Sequence, residues 1–401
     1  MGDSPMKGQQ LVMERRTALG LAGAAMLMGA TRGWAQGAGW TKVEALAADF
    51  LAKGFSPGVA ITAARDGQPF YSKGFGMANL ETGAAVTPAS VFRIGSVTKQ
   101  FTGAALALLE AEGKLSLNDR LAKFLPAFPG AAEVTLLQML HHTSGYGNYT
   151  NQKNPADFHS FGRLNHDPQA LEDMMREQTN PMFVFSPGTD WRYSNTAYVL
   201  LGRVIERVTG APYADYFAKR LFAPAGLIAT AVDNEADVVP NRASGYSAKK
   251  GDPKAFVNAD FISMTVPGAA GNIRSTTEDL CRWHSALFGG KILPPAALKR
   301  MLQPGVLNNG KLPMVPADRA KPDEKKPMSY SLGLFTQEIE GRKFIEHGGG
   351  IFGFISAMGT FPAERISIAV LTNSNAQERE GYAAAHKALV DTANRAAVGL
   401  L

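Results

Sequence analysis

The sequence predicts an α+β protein: one antiparallel β-sheet flanked by helices, joined to an all-helical lobe. Three observations lead there. Strand-like runs bounded by turn residues cluster near residues 58–75 and again at 330–373. Helical periodicity dominates the span between them, from Ser96 to about Leu302. The chain has 401 residues and 45% hydrophobic content, enough to bury a core shared by two lobes. Two strand groups around a helical insertion combine most simply as one sheet built from both chain ends. Residues 41–95 and 328–401 then form the sheet lobe, and 96–327 the helical lobe.

Taken in order, residues 1–35 read as an export signal. Arg15-Arg16 precede an apolar run, Ala18 to Ala30, too short and too rich in Gly and Ala for a stable membrane span. Gly33-Trp34-Ala35 supplies a small-x-small cleavage point before Gln36, and the paired arginines suggest the twin-arginine route. The mature chain, 36–401, is expected in the periplasm or outside the cell, with no stable membrane span. Thr41 and Glu44 make a capping box for a helix whose Val43, Leu46, Ala47, Phe50 and Leu51 form one apolar stripe, ended by Gly54. A hairpin follows, Gly58 to Ala64 and Pro69 to Phe75, turned by Asp66-Gly67. A polar stretch from Gly145 to Asn165 interrupts the helical section; it is too long for a plain connector and is a candidate lid or site wall. Strands return at Tyr330 to Glu338, Arg342 to Glu346, Gly353 to Phe361 and Ile366 to Asn373, and a helix from about Gly381 to Ala397 closes the chain.

Composition narrows the function. The net charge of +6 is spread along the chain and lies partly in the leader. The one dense basic cluster, Arg319 to Lys326, is broken by Pro322, Asp323 and Glu324, which suits a solvated loop and not a nucleic-acid groove. Cys281 is the only cysteine, so no intrachain disulfide can form, and its neighbours Leu280, Trp283 and Leu287 mark a core position. His141-His142 are adjacent with no H-E-x-x-H or C-x-x-C, so they read as structural; neither a metal nor another cofactor is expected. No G-x-S-x-G elbow, phosphate loop or dinucleotide fingerprint occurs.

What remains is nucleophilic chemistry. Ser96-Val97-Thr98-Lys99 places a hydroxyl one helical turn before an amine, at the root of a helix (Phe101, Ala104, Ala105, Leu106, Leu108, Leu109) that is apolar nearly all round. Burial lowers a lysine pKa, and such an amine can take the serine proton during attack. The bland alternative is a helix-capping Ser96 with Lys99 reaching solvent. Ser247 to Lys250 repeats the spacing among Gly245, Gly251, Asp252 and Pro253, where no apolar helix follows, and reads as surface. Tyr193-Ser194-Asn195 precedes the apolar helix Tyr198 to Val208. Its phenol, beside a lysine ammonium, would have a lowered pKa and could shuttle protons, and its amide could hold both lysine and substrate. Tyr146-Gly147-Asn148 shows the same pattern without the helix and is the lesser candidate. Glu346-His347-Gly348-Gly349-Gly350 lies between strands, where glycines allow close backbone approach and a free N–H; read as structure only, it is a loose hairpin turn.

S-x-x-K, then Y-S-N, then a late His-Gly-Gly resembles the serine β-lactamase and penicillin-binding protein superfamily, in its class C β-lactamase and D,D-carboxypeptidase-like branch. The resemblance runs roughly from Gly58 to Asn373, with Phe92-Arg93-Ile94-Gly95, His142-Thr143-Ser144-Gly145 and Pro187-Gly188 as supporting stretches. It implies Ser96 as nucleophile, Lys99 as general base, Tyr193 as proton shuttle and Asn195, His347, Gly348 and Gly349 in substrate binding. The implied oxyanion hole is the backbone N–H groups of Ser96 and Gly350. It also implies the β-lactamase/transpeptidase-like fold, in agreement with the strand layout. His347 stands where penicillin-recognising members usually carry Lys-Thr-Gly, so the grip on a substrate carboxylate is expected to be weaker. The expected function is an exported serine hydrolase acting through an acyl-enzyme on small ester, amide or D-amino-acid peptide substrates. One alternative is β-lactam or peptidoglycan chemistry, with His347 protonated or aided by Arg342; another is a non-catalytic sensor. Oligomeric state is not encoded legibly.

Overall fold

The computed structural model describes residues 37–151, 160–252, 254–318 and 321–401. The export signal expected at 1–35 and the centre of the candidate lid lie outside these residues. Seven strands form one antiparallel sheet: β1 Gly58–Arg65, β2 Gln68–Asn79, β3 Ala84–Ala85, β4 Phe335–Ile339, β5 Arg342–Ile351, β6 Phe354–Phe361 and β7 Ile366–Thr372, in the spatial order β4-β5-β6-β7-β1-β2-β3. The two strand groups meet where β1 pairs β7, from Val59 opposite Thr372 to Arg65 opposite Ile366. These two central strands are buried along nearly their whole length, which is why they read as continuous apolar runs and not as alternating ones. The β1–β2 turn takes Asp66 and Gly67 to φ 53° and 74°, the doubly left-handed turn that suits the twist of a hairpin.

Helices α1 (Ala38–Ala52) and α6 (Tyr382–Ala397) cover one sheet face and share a core with it through Val43, Phe50, Ile61, Ile368 and Leu389. The capping box expected at Thr41 does not form, because α1 starts one turn earlier, behind Gly37. Trp40 is the reason: its ring stacks on Tyr71 at 3.8 Å, so the buried stripe extends further towards the N-terminus than local capping signals suggest.

On the other face, α5 (Thr277–Phe288), capped by the Thr276 hydroxyl accepting from Asp279 N–H at 3.1 Å, packs on β1 and β7 and buries Cys281 completely. The helical section lies beyond it, centred on α2 (Lys99–Ala111) and α3 (Asn195–Thr209). Every residue of α2 from Lys99 to Leu109 is buried, and Phe101 stacks on Trp283 at 4.2 Å. The strand expected from Tyr330 begins only at Phe335, because Ser331 to Leu334 turn inward instead; a side chain at Gly103 would come within 2.2 Å of the Leu332 carbonyl. The basic cluster near 319–326 is exposed from Asp323 to Pro327, as a solvated segment should be. Yet it is no plain loop, since Lys321–Pro327 pairs with Met314–Asp318.

The segment entering the site is clamped before it arrives. Phe92–Arg93 pairs with Ile273–Ser275, and Arg93, Arg242 and Arg274 converge on the fully buried Asp233 carboxylate at 2.8, 3.1 and 3.0 Å. A buried carboxylate held by three guanidinium groups offsets its desolvation cost with charge-assisted bonds and fixes where the chain turns next.

Candidate active site

That turn is Gly95–Thr98, a single 3₁₀ turn running straight into α2. Side chains three apart eclipse in such a turn, which stacks Ser96 over Lys99. Gly95 sits at φ 49° with its Cα against the Gly350 backbone; a Cβ there would lie 2.9 Å from three Gly350 atoms. Neither bland reading of the motif survives, because Ser96 makes no capping bond and Lys99 is 0% exposed.

Lys99 Nζ lies 3.2 Å from Ser96 Oγ, 2.8 Å from Asn195 Oδ1 and 2.8 Å from the Ala270 carbonyl oxygen. Burial pushes its pKa well below the ordinary 10.5. A neutral amine has two N–H donors and one lone pair. The two N–H groups match Asn195 and Ala270, both pure acceptors in this geometry, which leaves the lone pair for the Ser96 hydroxyl. Ala270 belongs to the short helix α4 (Gly268–Gly271), whose Ala269 carbonyl also accepts from the Thr102 hydroxyl at 2.7 Å.

Tyr193 joins the same group: its ring centroid is 4.7 Å from Nζ, and its hydroxyl hydrogen-bonds with Ser96. Its pKa is raised, not lowered as the sequence suggested, because burial of the phenol outweighs the opposing interaction with Ser96. The phenol is therefore protonated beside Ser96.

The two Y-x-N copies turn out to be neighbours. Ser194 caps α3, and its hydroxyl donates to the Gly147 carbonyl at 2.9 Å. Asn195 N–H donates to Asn148 Oδ1 at 3.2 Å, Tyr149 N–H to Thr196 Oγ1 at 3.0 Å, and Asn195 Nδ2 to Thr150 Oγ1 at 3.4 Å. Tyr146 itself points away, donating to the Pro129 carbonyl. Residues 147–150 thus hold the Asn195 backbone and side chain, a contribution that sequence reasoning missed, because nothing in the motif marks a partner 47 positions away.

The triple glycine is strand and not turn: β5 runs through it to Ile351, and the bend is Phe352-Gly353. A side chain at Gly349 would strike the Ile94 carbonyl at 2.1 Å and Ser96 N at 2.9 Å, so the absence of one lets β5 press against the nucleophile turn. The structure does not bring the His347 ring into the open pocket. It is 2% exposed, with Nδ1 2.6 Å from the Gly348 carbonyl oxygen and Nε2 3.2 Å from Tyr330 Oη. Burial first and the nearby Lys99 second pull its pKa down to about 3, so this position carries no charge near neutral pH. Arg342, the other cation considered, pairs with Glu364 at 3.0 Å. The second S-x-x-K copy is apart from all this: Lys249 and Lys250 are exposed beside a small hairpin, as expected.

Ser96, Asn195, Ala270 and Gly350 border a cavity of about 400 Å³, with walls of Tyr149, Ile262, Pro267, Ile351, Phe352 and Ile355 and with Asn375 and Gln377 at one side. Among the described residues no cluster could hold a metal ion, and no helix is long and apolar enough to cross a membrane.

Comparisons with known proteins agree with this construction. The family model described as Beta-lactamase matches residues 43–392. Penicillin-binding protein 4* of Bacillus subtilis is 29% identical over 78% of this chain and 67% of its own length; the chain spans between 61% and 67% of the curated relatives it matches. Among solved structures, a D-stereospecific amidohydrolase from Streptomyces sp. superposes with a TM-score of 0.68 at 29% identity, covering 84% of this chain and 94% of that one. The D-amino acid amidase of Ochrobactrum anthropi SV3 gives a TM-score of 0.72 at 26% identity, over 90% and 98%. With the matched region spanning sheet, helices and the serine–lysine–tyrosine cluster alike, the chain belongs to the beta-lactamase family and is a serine hydrolase of that fold.

Proposed function

We infer that the protein is an exported hydrolase that forms an acyl-enzyme on Ser96 with small esters or amides, D-amino-acid amides and peptides included. The observation that carries this reading is the buried Lys99 amine, its two N–H groups on Asn195 and Ala270 and its lone pair free for the Ser96 hydroxyl. Ser96 Oγ attacks the substrate carbonyl carbon as Lys99 takes its proton. The oxyanion meets the N–H groups of Ser96 and Gly350. Tyr193 passes a proton to the leaving oxygen or nitrogen as the bond to it breaks, and a water then releases the acyl group through the same groups in reverse. Asn195 holds the amine and the substrate in register. Gly348 and Gly349 contribute the strand edge of the site, and His347 acts through that strand and not through its ring. The amidase relatives support amide substrates, and the twin-arginine-like leader supports a periplasmic or secreted location.

The experiment is intact mass after incubation with p-nitrophenyl esters, D-amino-acid amides and β-lactams. An acyl adduct on the native protein, absent from Ser96→Ala, is expected. Full turnover by Ser96→Ala would remove the reading. A penicillin-binding relative keeps β-lactam chemistry as a second reading. The neutral, buried His347 and the engaged Arg342 weigh against it. Rapid nitrocefin hydrolysis would promote it, and a serine probe that labels nothing would point to a non-catalytic sensor.

A further inference from the structure

His142 is tied to both chain neighbours of Tyr193. Its carbonyl accepts from Arg192 N–H at 3.0 Å, and its ring Nδ1 accepts from Ser194 N–H at 3.2 Å. Its ring also lies against the Tyr193 ring, with centroids 4.4 Å apart and planes at 40°. The residue is completely buried and sits at φ 60°, a left-handed conformation uncommon outside Gly that His, like Asn and Asp, adopts more readily than other side chains. Because Nδ1 accepts, the proton of the neutral ring is on Nε2, which has no hydrogen-bond partner among the described residues. Tyr198 and Tyr330 enclose that side at 5.0 and 4.7 Å between centroids. An orphaned N–H and a left-handed backbone are both costly in a core. A residue serving packing alone would be better replaced by an apolar one.

We propose that His142 is a positioning residue for Tyr193, gripping the backbone on either side of it and backing its ring so that the phenol stays on Ser96 and Lys99. This rests on the proton-shuttle role given to Tyr193 above. The placement explains why an acceptor is needed where Nδ1 stands. That atom reaches a backbone N–H two residues from the carbonyl's own partner, leaving the intervening Tyr193 free to point into the site.

The test is a mutant cycle in ester hydrolysis, with kcat and KM separated. His142→Asn keeps an acceptor near the Nδ1 position and tolerates left-handed φ; it should retain kcat within about fivefold. His142→Gly relieves the backbone but removes acceptor and ring. It should lower kcat by about 30- to 100-fold with little change in KM, a part of the general acid–base contribution. In a Tyr193→Phe background, the same His142→Gly change should cost less than about threefold, because residues acting as a unit are not additive. Equal losses in both backgrounds would overturn the proposal, as would His142→Gly matching His142→Asn. Should His142→Gly fail to fold, His142→Gln decides: its acceptor sits near the Nε2 position, so it must be slower than His142→Asn, and equal rates would overturn the proposal. If Ser96→Ala kept full activity, the functional reading would fail instead, independently of the cycle.

Discussion

Ser96–Lys99 and Ser247–Lys250 obey the same four-residue spacing, yet only one of them buries its lysine. In the first, the lysine is sealed at 0% exposure against three polar atoms; in the second, both Lys249 and Lys250 lie in solvent beside a short hairpin. The Ser247 hydroxyl meets Asn375 Oδ1 at 3.1 Å and no amine. Desolvation disfavours the charged form of the Lys99 amine and so favours the form with a free lone pair. Spacing therefore puts two groups on one face, and burial decides what they can do. The two Y-x-N copies differ in the same way. Tyr193 faces the amine, while Tyr146 is buried among Phe128 and Phe183 with its hydroxyl on a backbone carbonyl.

The largest effect that could break this contrast is at the serine. Ser96→Ala should lower ester turnover by ~10⁴-fold or more and abolish the acyl adduct seen by mass, while Lys250→Ala should leave both unchanged. Next comes the amine: Lys99→Met should cost ~10²–10⁴-fold in kcat, the range of general-base catalysis, and a loss below tenfold would mean that Ser96 has another base. Tyr193→Phe should slow kcat by about 10²-fold, whereas Tyr146→Phe should lower stability by about 1 kcal/mol through its lost hydrogen bond and leave kcat in place. Equal kinetic losses in the two tyrosine variants would erase the distinction between the copies.

A separate effect, on stability and not on rate, concerns charge state set by burial. His141, His284 and His347 are held neutral, with pKa values drawn from the ordinary 6.5 to about 4, 3 and 3, chiefly by desolvation. The unfolded chain takes up these protons below pH 6.5 and the folded chain does not. Their contribution is therefore complete above pH 6.5 and declines as pH falls towards 4 and then 3, by up to about 1.4 kcal/mol per residue per pH unit. Urea unfolding at pH 7.5 and pH 5 should show the loss. His347→Gln should flatten part of that slope, and an unchanged slope would mean that His347 is not held neutral.

Much of this was legible in the chain. The β1–β2 hairpin followed from Asp66-Gly67 between two strand-like runs, and the buried α2 from its apolar run, because local signals and tertiary packing agree there. Where they disagree, tertiary packing prevails: Trp40 moves the start of α1, and Leu332, drawn against Gly103, delays β4. The Ala270 carbonyl on Lys99 has no side-chain signature at all, since every residue carries one. The 147–150 segment carries the Y-x-N pattern, but the structure uses its asparagine, which accepts from Asn195 N–H, while Tyr146 points away to the Pro129 carbonyl.

Sequence by itself determined which groups share a face and which segments can pair: Ser96 over Lys99, and a sheet assembled from both ends of the chain. These follow from periodicity, a property of consecutive residues. Only the tertiary structure decided that Lys99 is buried against Ser96, Asn195 and Ala270, that Tyr193 stays a phenol, that the His347 ring is withdrawn and that the His142 ring packs on the tyrosine. Protonation and orientation depend on desolvation and on partners met through space, and those partners lie as much as 171 positions apart along the chain.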